Sequence, residues 1–278
     1  MEPAAVSPGS SPILVTRDLT KSFRRLTALK NHSVEVKRGE ILGVIGPNGS
    51  GKSTFFNVVT GFLKPNAGTV LFEGQEIQHL PAPNIVRLGV ARTFQGTRLF
   101  PRLSVRENLR AAAQLRHPLG FVDAVFGLPR LGKVNRAVDQ LTDELLALIN
   151  LRSRADNRAA DLPYGDQRRL ELARALATRP RLLMLDEPSA GLSPVLVDRV
   201  LGVARQLRER GTAILLVEQL IEKALALADR VYALARGKMV LEAPTTEHDL
   251  PRRLEQAYFG HETTSVWLGA ALDPPVGC

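Results

Sequence analysis

The sequence has little cysteine, few aromatic residues and no long apolar run. Its single cysteine, Cys278, excludes a disulfide within the chain and is typical of a protein from a reducing compartment. No apolar stretch approaches the roughly 20 residues that cross a bilayer, and the first residues lack the basic start and apolar block of a signal peptide. The composition therefore argues against an integral membrane protein and against a secreted one.

The charge is basic, with 37 Lys and Arg against 28 Asp and Glu and a formal net charge of +9. Such a charge could serve an acidic partner, including nucleic acid or anionic lipid. The basic residues are spread along the chain, however, and only 5% of residues are aromatic, which leaves few platforms for stacking bases. We therefore expect no nucleic acid partner.

Residues 46–53 spell Gly-Pro-Asn-Gly-Ser-Gly-Lys-Ser, the pattern of a phosphate-binding loop. An apolar strand over Glu40–Ile45 precedes the motif, and a helix is predicted to begin near Lys52, as the motif requires. Glycines let successive backbone N–H groups converge on phosphates, and the start of a helix adds unpaired donors. The alternative, a glycine-rich turn with a chance lysine, does not account for the flanking strand and helix.

This motif predicts a site for a nucleoside triphosphate. Lys52 is expected to reach the β- and γ-phosphates, and the Ser53 hydroxyl is expected to bind Mg²⁺. The residues expected to contact the nucleotide are Asn48, Gly49, Ser50, Gly51, Lys52, Ser53 and Thr54.

A second apolar strand, Leu182–Leu185, ends in two carboxylates, Asp186 and Glu187. Ligands of parallel α/β proteins bind at the carboxyl edge of the sheet, where such residues lie. We expect Asp186 to hold the Mg²⁺ shell and Glu187 to polarise the attacking water. Strands also end in acidic helix caps, and that alternative is weakened by the upstream phosphate loop.

Between and around these motifs the pattern predicts a strand-rich opening, a helical block and a return to strands. From Ser104 to about Leu151 apolar residues recur at helical intervals, for example Leu141, Leu145 and Leu148. Later strands, each preceded by a helix, favour parallel α/β construction. Other strands are predicted at Ile13–Arg17, His32–Val36, Ile41–Ile45, Thr69–Phe72 and Ala213–Val217.

The segment Leu162–Leu170, which reads Leu-Pro-Tyr-Gly-Asp-Gln-Arg-Arg-Leu, resembles the signature of the ATP-binding cassette (ABC) ATPases. The resemblance runs from about Ile13 to Gly260 and implies a P-loop NTPase core. An N-terminal antiparallel β subdomain and an α-helical subdomain inserted at about residues 104–161 complete the implied α/β fold. Residues 1–12 are expected to be disordered, and residues 261–278 form a tail without an assigned function.

In that family the signature glycine, here Gly165, begins a helix whose N-terminus meets the γ-phosphate held by a second ATPase subunit. Asp166 departs from the common glutamine, and an acidic residue near phosphate is not obviously helpful. The resemblance also implies that Phe23 stacks on adenine, although a core aromatic is an alternative. It implies that Gln95 joins the Mg²⁺ shell, with a solvated loop amide as the alternative. Residues 189–194 resemble the loop that contacts the opposing site.

Gln219 stands where active family members usually carry a histidine that contacts the γ-phosphate. Glutamine can donate a hydrogen bond, but it cannot carry a positive charge. We expect ATP hydrolysis to be slow at this site, and pairing with a more active ATPase chain to be favoured over a homodimer.

The stretch Arg92–Leu109 and the ending Ala257-Tyr258-Phe259-Gly260 are similar to ATPase subunits of branched-chain amino acid importers. This resemblance implies ATP and Mg²⁺ as cofactors, membrane permease subunits as partners and, indirectly, a solute-binding protein. It implies a peripheral position on the cytoplasmic face of the inner membrane. The apolar segment His117–Gly132 is expected to contact the permease or to pack beneath the helices. A lipid or lipopolysaccharide exporter ATPase and an ATP-gated binding module without transport are the alternatives.

Overall fold

The computed structural model describes residues 11–93, 98–115, 129–188, 194–218 and 221–259. Its strands are β1 (Pro12–Phe23), β2 (Leu26–Lys37), β3 (Ile41–Ile45), β4 (Ala67–Phe72), β5 (Gln75–Glu76), β6 (Val90–Arg92), β7 (Leu182–Asp186), β8 (Ala213–Glu218), β9 (Arg230–Ala235) and β10 (Lys238–Pro244). Its α-helices are α1 (Lys52–Val59), α2 (Ala82–Leu88), α3 (Val105–Gln114), α4 (Pro129–Leu148), α5 (Tyr164–Ala177), α6 (Pro194–Glu209), α7 (Ile221–Leu227) and α8 (Leu250–Phe259). None of these described helices is both long and apolar enough to span a membrane.

The smaller sheet is antiparallel and has the strand order β2-β1-β4-β5. β1 and β2 form a long hairpin that closes where Phe23 pairs with Leu26. One face of these strands is buried in alternation, with Leu14 and Val36 among the fully buried residues. The predicted antiparallel β subdomain is confirmed.

The larger sheet has the order β10-β9-β3-β8-β7-β6, and every pairing in it is parallel except that of β10 with β9. All residues of β3, β7 and β8 are buried, as expected for strands of a parallel sheet that is covered on both faces. The predicted strands at Ile41–Ile45, Leu182–Leu185 and Ala213–Val217 are thus confirmed. Because these strands are parallel, the residues after β3 and after β7 lie at the same edge of the sheet.

The helices α3, α4 and α5 contact one another and bury a common set of apolar residues, including Leu109, Leu146 and Leu170. α3 starts at a capping box: the Ser104 hydroxyl accepts a hydrogen bond from the Glu107 N–H, and the Glu107 carboxylate accepts one from the Ser104 N–H. The predicted helical character of this region is confirmed for residues 105–114 and 129–148.

The leucines that indicated α4 are not all on its buried face. Leu145 is buried, but Leu148 is 42% exposed. The buried face contains Leu146 and Ile149 instead, at 0% and 4% exposure, and Ile149 lies just beyond the helix. The spacing of four and three residues therefore predicted the helix correctly, whereas the limits of its buried face are seen only in the structure.

Candidate functional site

The phosphate loop joins the end of β3 to the start of α1, as predicted. Gly51 caps the helix with φ 113°, and a Cβ atom there would lie 2.5 Å from the Ala28 carbonyl oxygen of β2. Gly49 also has a positive φ, 77°, but a Cβ atom there would meet nothing within 4 Å. Glycine is therefore required at residue 51 by close backbone contact and at residue 49 only by conformation.

The back of the loop is held by the turn between β9 and β10. The Gly237 N–H donates to the Ser50 carbonyl at 3.0 Å, and the Gly237 carbonyl accepts from the Lys30 N–H at 2.8 Å. His32, which is 1% exposed, has its Nε2 atom 2.9 Å from the same carbonyl. Since a carbonyl can only accept, Nε2 carries the hydrogen in this contact. Burial lowers the pKa of His32, and the bond to Gly237 opposes that change.

Lys52 lies inside the curve of the loop and is 5% exposed. Its ammonium donates to the carbonyl oxygens of Gly46 at 2.6 Å and Pro47 at 3.0 Å. Burial lowers the pKa of Lys52, whereas the negative charges of Glu187 and Asp186 raise it. The loop thus combines backbone N–H groups, the start of a helix and one positive charge, which together suit an anion.

The end of β7 brings two carboxylates to the same edge of the sheet: Asp186 is its last residue, and Glu187 follows it. Asp186 is 2% exposed, and its Oδ2 atom accepts from Nη2 of Arg92 at 2.7 Å. Burial lowers the pKa of this guanidinium, and Asp186 opposes that change. Glu187 is partly exposed, with φ 48°, and its N–H donates to the Val217 carbonyl at 2.9 Å. A non-glycine residue in the left-handed region is uncommon and is often found at functional sites.

The donor atoms at this edge fit a magnesium ion that arrives with a phosphate ligand. The Asp186 carboxylate and the exposed Ser53 hydroxyl offer oxygen atoms, which Mg²⁺ prefers. Asp186 Oδ1 is buried and has no hydrogen-bond partner among the described residues. Within the same described ranges no cluster of three or more His, Cys, Asp and Glu could bind a metal by itself. Phosphate oxygens and water would therefore have to supply much of the coordination shell.

The signature segment lies at the start of α5, with Pro163 as the N-cap and Gly165 in the first turn. The N–H groups of Tyr164 and Gly165 precede the first intrahelical bonds, which the N–H groups of Asp166 and Gln167 make to the Pro163 carbonyl. The side of α5 that carries Arg168 and Glu171 shares a small cavity with Thr93, Leu185 and Asp186. α5 therefore also lies near the end of β7 in its own chain.

Asp166, the unexpected acidic residue of the signature, is 8% exposed and is bound by two arginines. Nη1 of Arg154 donates to its Oδ2 atom at 2.7 Å, and Arg169 donates to its Oδ1 atom. Arg169 also donates to the Ile149 carbonyl at 2.6 Å. The concern that this carboxylate would oppose a phosphate is therefore answered by its pairing. No sequence pattern pointed to Arg154, which lies in a 3₁₀ turn twelve positions earlier.

Phe23 lies at the tip of the β1–β2 hairpin and is 42% exposed, so the core-aromatic alternative is excluded. The ammonium of Lys21 lies 5.3 Å from the centre of its ring. The hairpin tip lies close to the phosphate loop along the chain of β2. Ala28, two residues after Leu26 of the tip, lies against Gly51 of the loop. An exposed ring at this position is available for stacking.

Several predicted residues lie outside the described residues. These are Gln95, Gln219, residues 189–193, most of the apolar segment His117–Gly132 and the tail from residue 261. The interpretation of each stays a prediction.

Comparison with known proteins agrees with the geometry. The sequence matches the ABC transporter family over residues 29–190. It is 37% identical over 253 residues to the high-affinity branched-chain amino acid transport ATP-binding protein BraF of Pseudomonas aeruginosa, covering 90% of this chain and 99% of BraF. It is 36% identical to BraG, a protein of the same description from the same organism, over 86% of this chain and 95% of BraG.

Among solved structures, an ATP-binding cassette of an ABC transporter superposes with a TM-score of 0.76 at 29% identity. The likeness covers 90% of this chain and all of that one, 100%. The matched family region includes the phosphate loop, the signature helix and the carboxylates at the end of β7. This chain is an ATP-binding cassette and belongs to the ABC transporter family.

Proposed function

We propose that this chain is the ATP-hydrolysing subunit of an importer for branched-chain amino acids. The observation that carries the proposal is that Lys52, Asp186 and Glu187 lie at one edge of a parallel sheet. The resemblance to BraF, which covers 90% of this chain, supports it. The cassette occupies residues 13–260 in this proposal, with the helical subdomain at about 104–161.

ATP is bound by the loop and by the hairpin tip. The backbone N–H groups between Asn48 and Thr54 surround the phosphates, and Lys52 exchanges its bonds to the loop carbonyls for bonds to the β- and γ-phosphates. Phe23 stacks on the adenine ring, for which its exposure and position suit it. The bonds of Lys52 to the loop carbonyls hold its ammonium inside the loop, which reduces the cost of ordering it on binding.

Hydrolysis requires a base and a stabilised phosphate. Glu187 acts as the general base that orients and polarises water, while Lys52 draws charge from the γ-phosphate. Ser53, Gln95 and Asp186 hold Mg²⁺, which when bound neutralises phosphate charge. Gln219 donates a neutral hydrogen bond where a histidine would carry charge, so this site works slowly.

The cassette completes its site by pairing with a second ATPase subunit. The start of α5, at Gly165, offers free N–H groups to the γ-phosphate bound by the partner chain. ATP held between two chains favours the closed pair, and hydrolysis reopens it. The likeness to both BraF and BraG, two ATP-binding proteins of one organism, supports a heterodimer.

Membrane permease subunits convert this closure into transport, and a solute-binding protein delivers the amino acid from the other side. The chain then lies peripherally on the cytoplasmic face of the inner membrane. A segment within His117–Gly132 contacts the permease, for which its concentration of apolar residues suits it.

Purification of the tagged chain from its own membranes, with identification of the co-purified permease and reconstitution in liposomes, tests this function. We expect ATP-dependent uptake of leucine, isoleucine or valine when the solute-binding protein is added. Outward movement of lipid, or salt-sensitive binding of DNA or RNA without a permease, would contradict the proposal.

A further inference from the structure

Arg92, the last residue of β6, is buried beneath the proposed nucleotide site, with a side chain that is 7% exposed. Two elements, β7 and α1, hold its guanidinium. Nη2 donates to Asp186 at the end of β7, at 2.7 Å, and Nη1 donates to Oδ1 of Asn57 in α1, at 2.6 Å. The ring of Phe56, also in α1, lies 5.3 Å from Cζ. Arg92 therefore bridges the helix that follows the phosphate loop and the acidic residue that ends β7.

The two oxygens of Asp186 are in different situations. Oδ2 is held by Arg92, whereas Oδ1 is buried without a hydrogen-bond partner among the described residues. The backbone is fixed as well, because the Asp186 N–H donates to the Thr93 hydroxyl at 3.2 Å and the Thr93 N–H donates to the Met184 carbonyl at 2.9 Å. With the backbone and one oxygen fixed, the direction of the second oxygen is determined.

We propose that Arg92 is a positioning residue that orients the Asp186 carboxylate, so that Oδ1 is presented to the Mg²⁺ that accompanies ATP. This inference rests on the proposed role of Asp186. Arg92 does not touch the nucleotide; it acts through Asp186. Substitution of a residue that orients a metal ligand typically reduces metal affinity or activity by about 10- to 100-fold.

The geometry requires arginine in particular. Its planar fork donates from Nη1 to Asn57 and from Nη2 to Asp186 at the same time, while its flat face rests near Phe56. Lysine has one ammonium on a flexible stem and cannot reproduce this fork, although it keeps the charge. We therefore expect the Arg92→Lys variant to keep part of the orientation of Asp186, and the Arg92→Gln variant to lose it.

The test is the affinity of the purified full chain for ATP, measured by calorimetry with Mg²⁺ and again with EDTA. The dissociation constant in EDTA divided by the dissociation constant with Mg²⁺ gives the contribution of the metal. We expect Arg92→Gln to reduce this ratio about 10-fold or more and to leave the affinity in EDTA within about 2-fold of wild type. We expect the ratio of Arg92→Lys to lie between those of the wild type and Arg92→Gln. A simple loss of packing would lower both affinities or the melting temperature without changing the ratio.

Arg181 provides the matched control. It immediately precedes β7, its guanidinium lies 5.6 Å from the ring of Phe72, and it pairs with Glu73. Like Arg92 it has a carboxylate partner and an aromatic neighbour, but its side chain is 46% exposed and it lies at the opposite end of the strand that carries Asp186. We expect Arg181→Gln to leave the ratio unchanged.

The outcomes separate this inference from the proposed function. If the wild type shows no Mg²⁺-dependent affinity for ATP, the proposed function fails. If the wild type shows it and Arg92→Gln keeps the same ratio, only the role of Arg92 is overturned. A larger ratio in Arg92→Gln would mean that the arginine competes with the metal, which also overturns positioning. If Arg92→Gln does not fold, Asn57→Ala removes one anchor of the guanidinium, and an unchanged ratio in that variant overturns the inference.

Discussion

Two helices of this cassette begin where a phosphate is expected, and they are built differently. α1 starts from Gly51 with no acidic residue in its first turn and with the ammonium of Lys52 folded into the loop. α5 starts from Pro163 and carries Asp166 in its first turn, neutralised by two arginines. The first start depends on backbone shape and one charge, and the second depends on an ion-pair network. Substitutions should therefore affect the two ends in different ways.

Lys52→Ala should produce the largest effect, because it removes the only positive charge that the structure places inside the phosphate loop among the described residues. A hydrogen bond to a charged group contributes about 1.5–3 kcal/mol, and Lys52 makes more than one, so we expect about 100-fold weaker ATP binding or more. Calorimetric titration of the isolated chain measures this. Lys30→Ala, which removes an exposed ammonium, serves as the control. Equal affinities in wild type and Lys52→Ala would contradict the proposed nucleotide site.

Gly51→Ala and Gly49→Ala form a pair that separates close contact from conformation. The Cβ atom at residue 51 would lie 2.5 Å from the Ala28 carbonyl, so the loop or β2 must move. We expect a loss of about 2–4 kcal/mol in the free energy of unfolding, from overpacking together with left-handed strain. At residue 49 only the positive φ opposes alanine, and the loss should be about 1 kcal/mol. Urea unfolding of both variants checks the order, and equal losses would show that the contact with Ala28 relaxes freely.

Asp166→Asn tests the network at the start of α5. It leaves Arg154 and Arg169 without their shared negative charge, and Arg169 has a side chain that is only 14% exposed. We expect the free energy of unfolding to fall by about 1–2 kcal/mol, while the isolated chain binds ATP as before. Denaturant unfolding and ATP titration measure the two quantities. Unchanged stability together with faster hydrolysis in the assembled transporter would instead mean that the carboxylate opposes the phosphate.

The parts of this comparison differ in how far the sequence could predict them. The β3 strand and the start of α1 follow from a continuous apolar run and a glycine motif, which are local patterns, and both were predicted correctly. The partners of Asp166 and of Arg92 were not predicted. Arg92 and Asp186 are 94 residues apart, and nothing in a local pattern indicates which arginine meets which carboxylate.

The exposure of Leu148 has a related cause. Spacing identifies a helix, but the edge of its buried face is set by the neighbours against which it packs. α4 packs against α3 and α5, and this contact buries Leu146 and leaves Leu148 42% exposed. Elements with strong local patterns can thus be predicted, whereas side-chain pairs and the limits of a buried face depend on the assembled fold.

Gln219→His tests what limits the rate of ATP hydrolysis at the site built on this chain's own phosphate loop. A charged imidazole donates a hydrogen bond about twice as strong as that of a neutral amide, a difference of about 1–1.5 kcal/mol. We expect single-turnover hydrolysis to become about 10-fold faster, with ATP affinity little changed. Glu187→Gln in the same background is the control and should abolish the gain. Equal rates for wild type and Gln219→His would remove the idea that glutamine slows this site.

The smallest expected effect concerns His32, which supports the phosphate loop from behind through Gly237. Burial lowers the pKa of His32 below its ordinary value of 6.5. In mildly acid solution this imidazole is therefore protonated in the unfolded chain but not in the folded one. The free energy of unfolding should therefore fall as the pH drops below about 6.5 and become constant below the folded pKa.

Unfolding by urea at pH 7 and at pH 5 measures this acid sensitivity. In His32→Gln, an amide that does not titrate can still donate to the Gly237 carbonyl, so the part of the loss due to His32 should disappear. His79→Gln, a change at an exposed histidine, should keep it. If the acid loss were the same in wild type and His32→Gln, the imidazole would be protonated as easily in the folded chain as in the unfolded one. The contact of His32 with Gly237 behind the phosphate loop would then persist when the imidazole is doubly protonated. In that case the two helix starts would differ only in their charges.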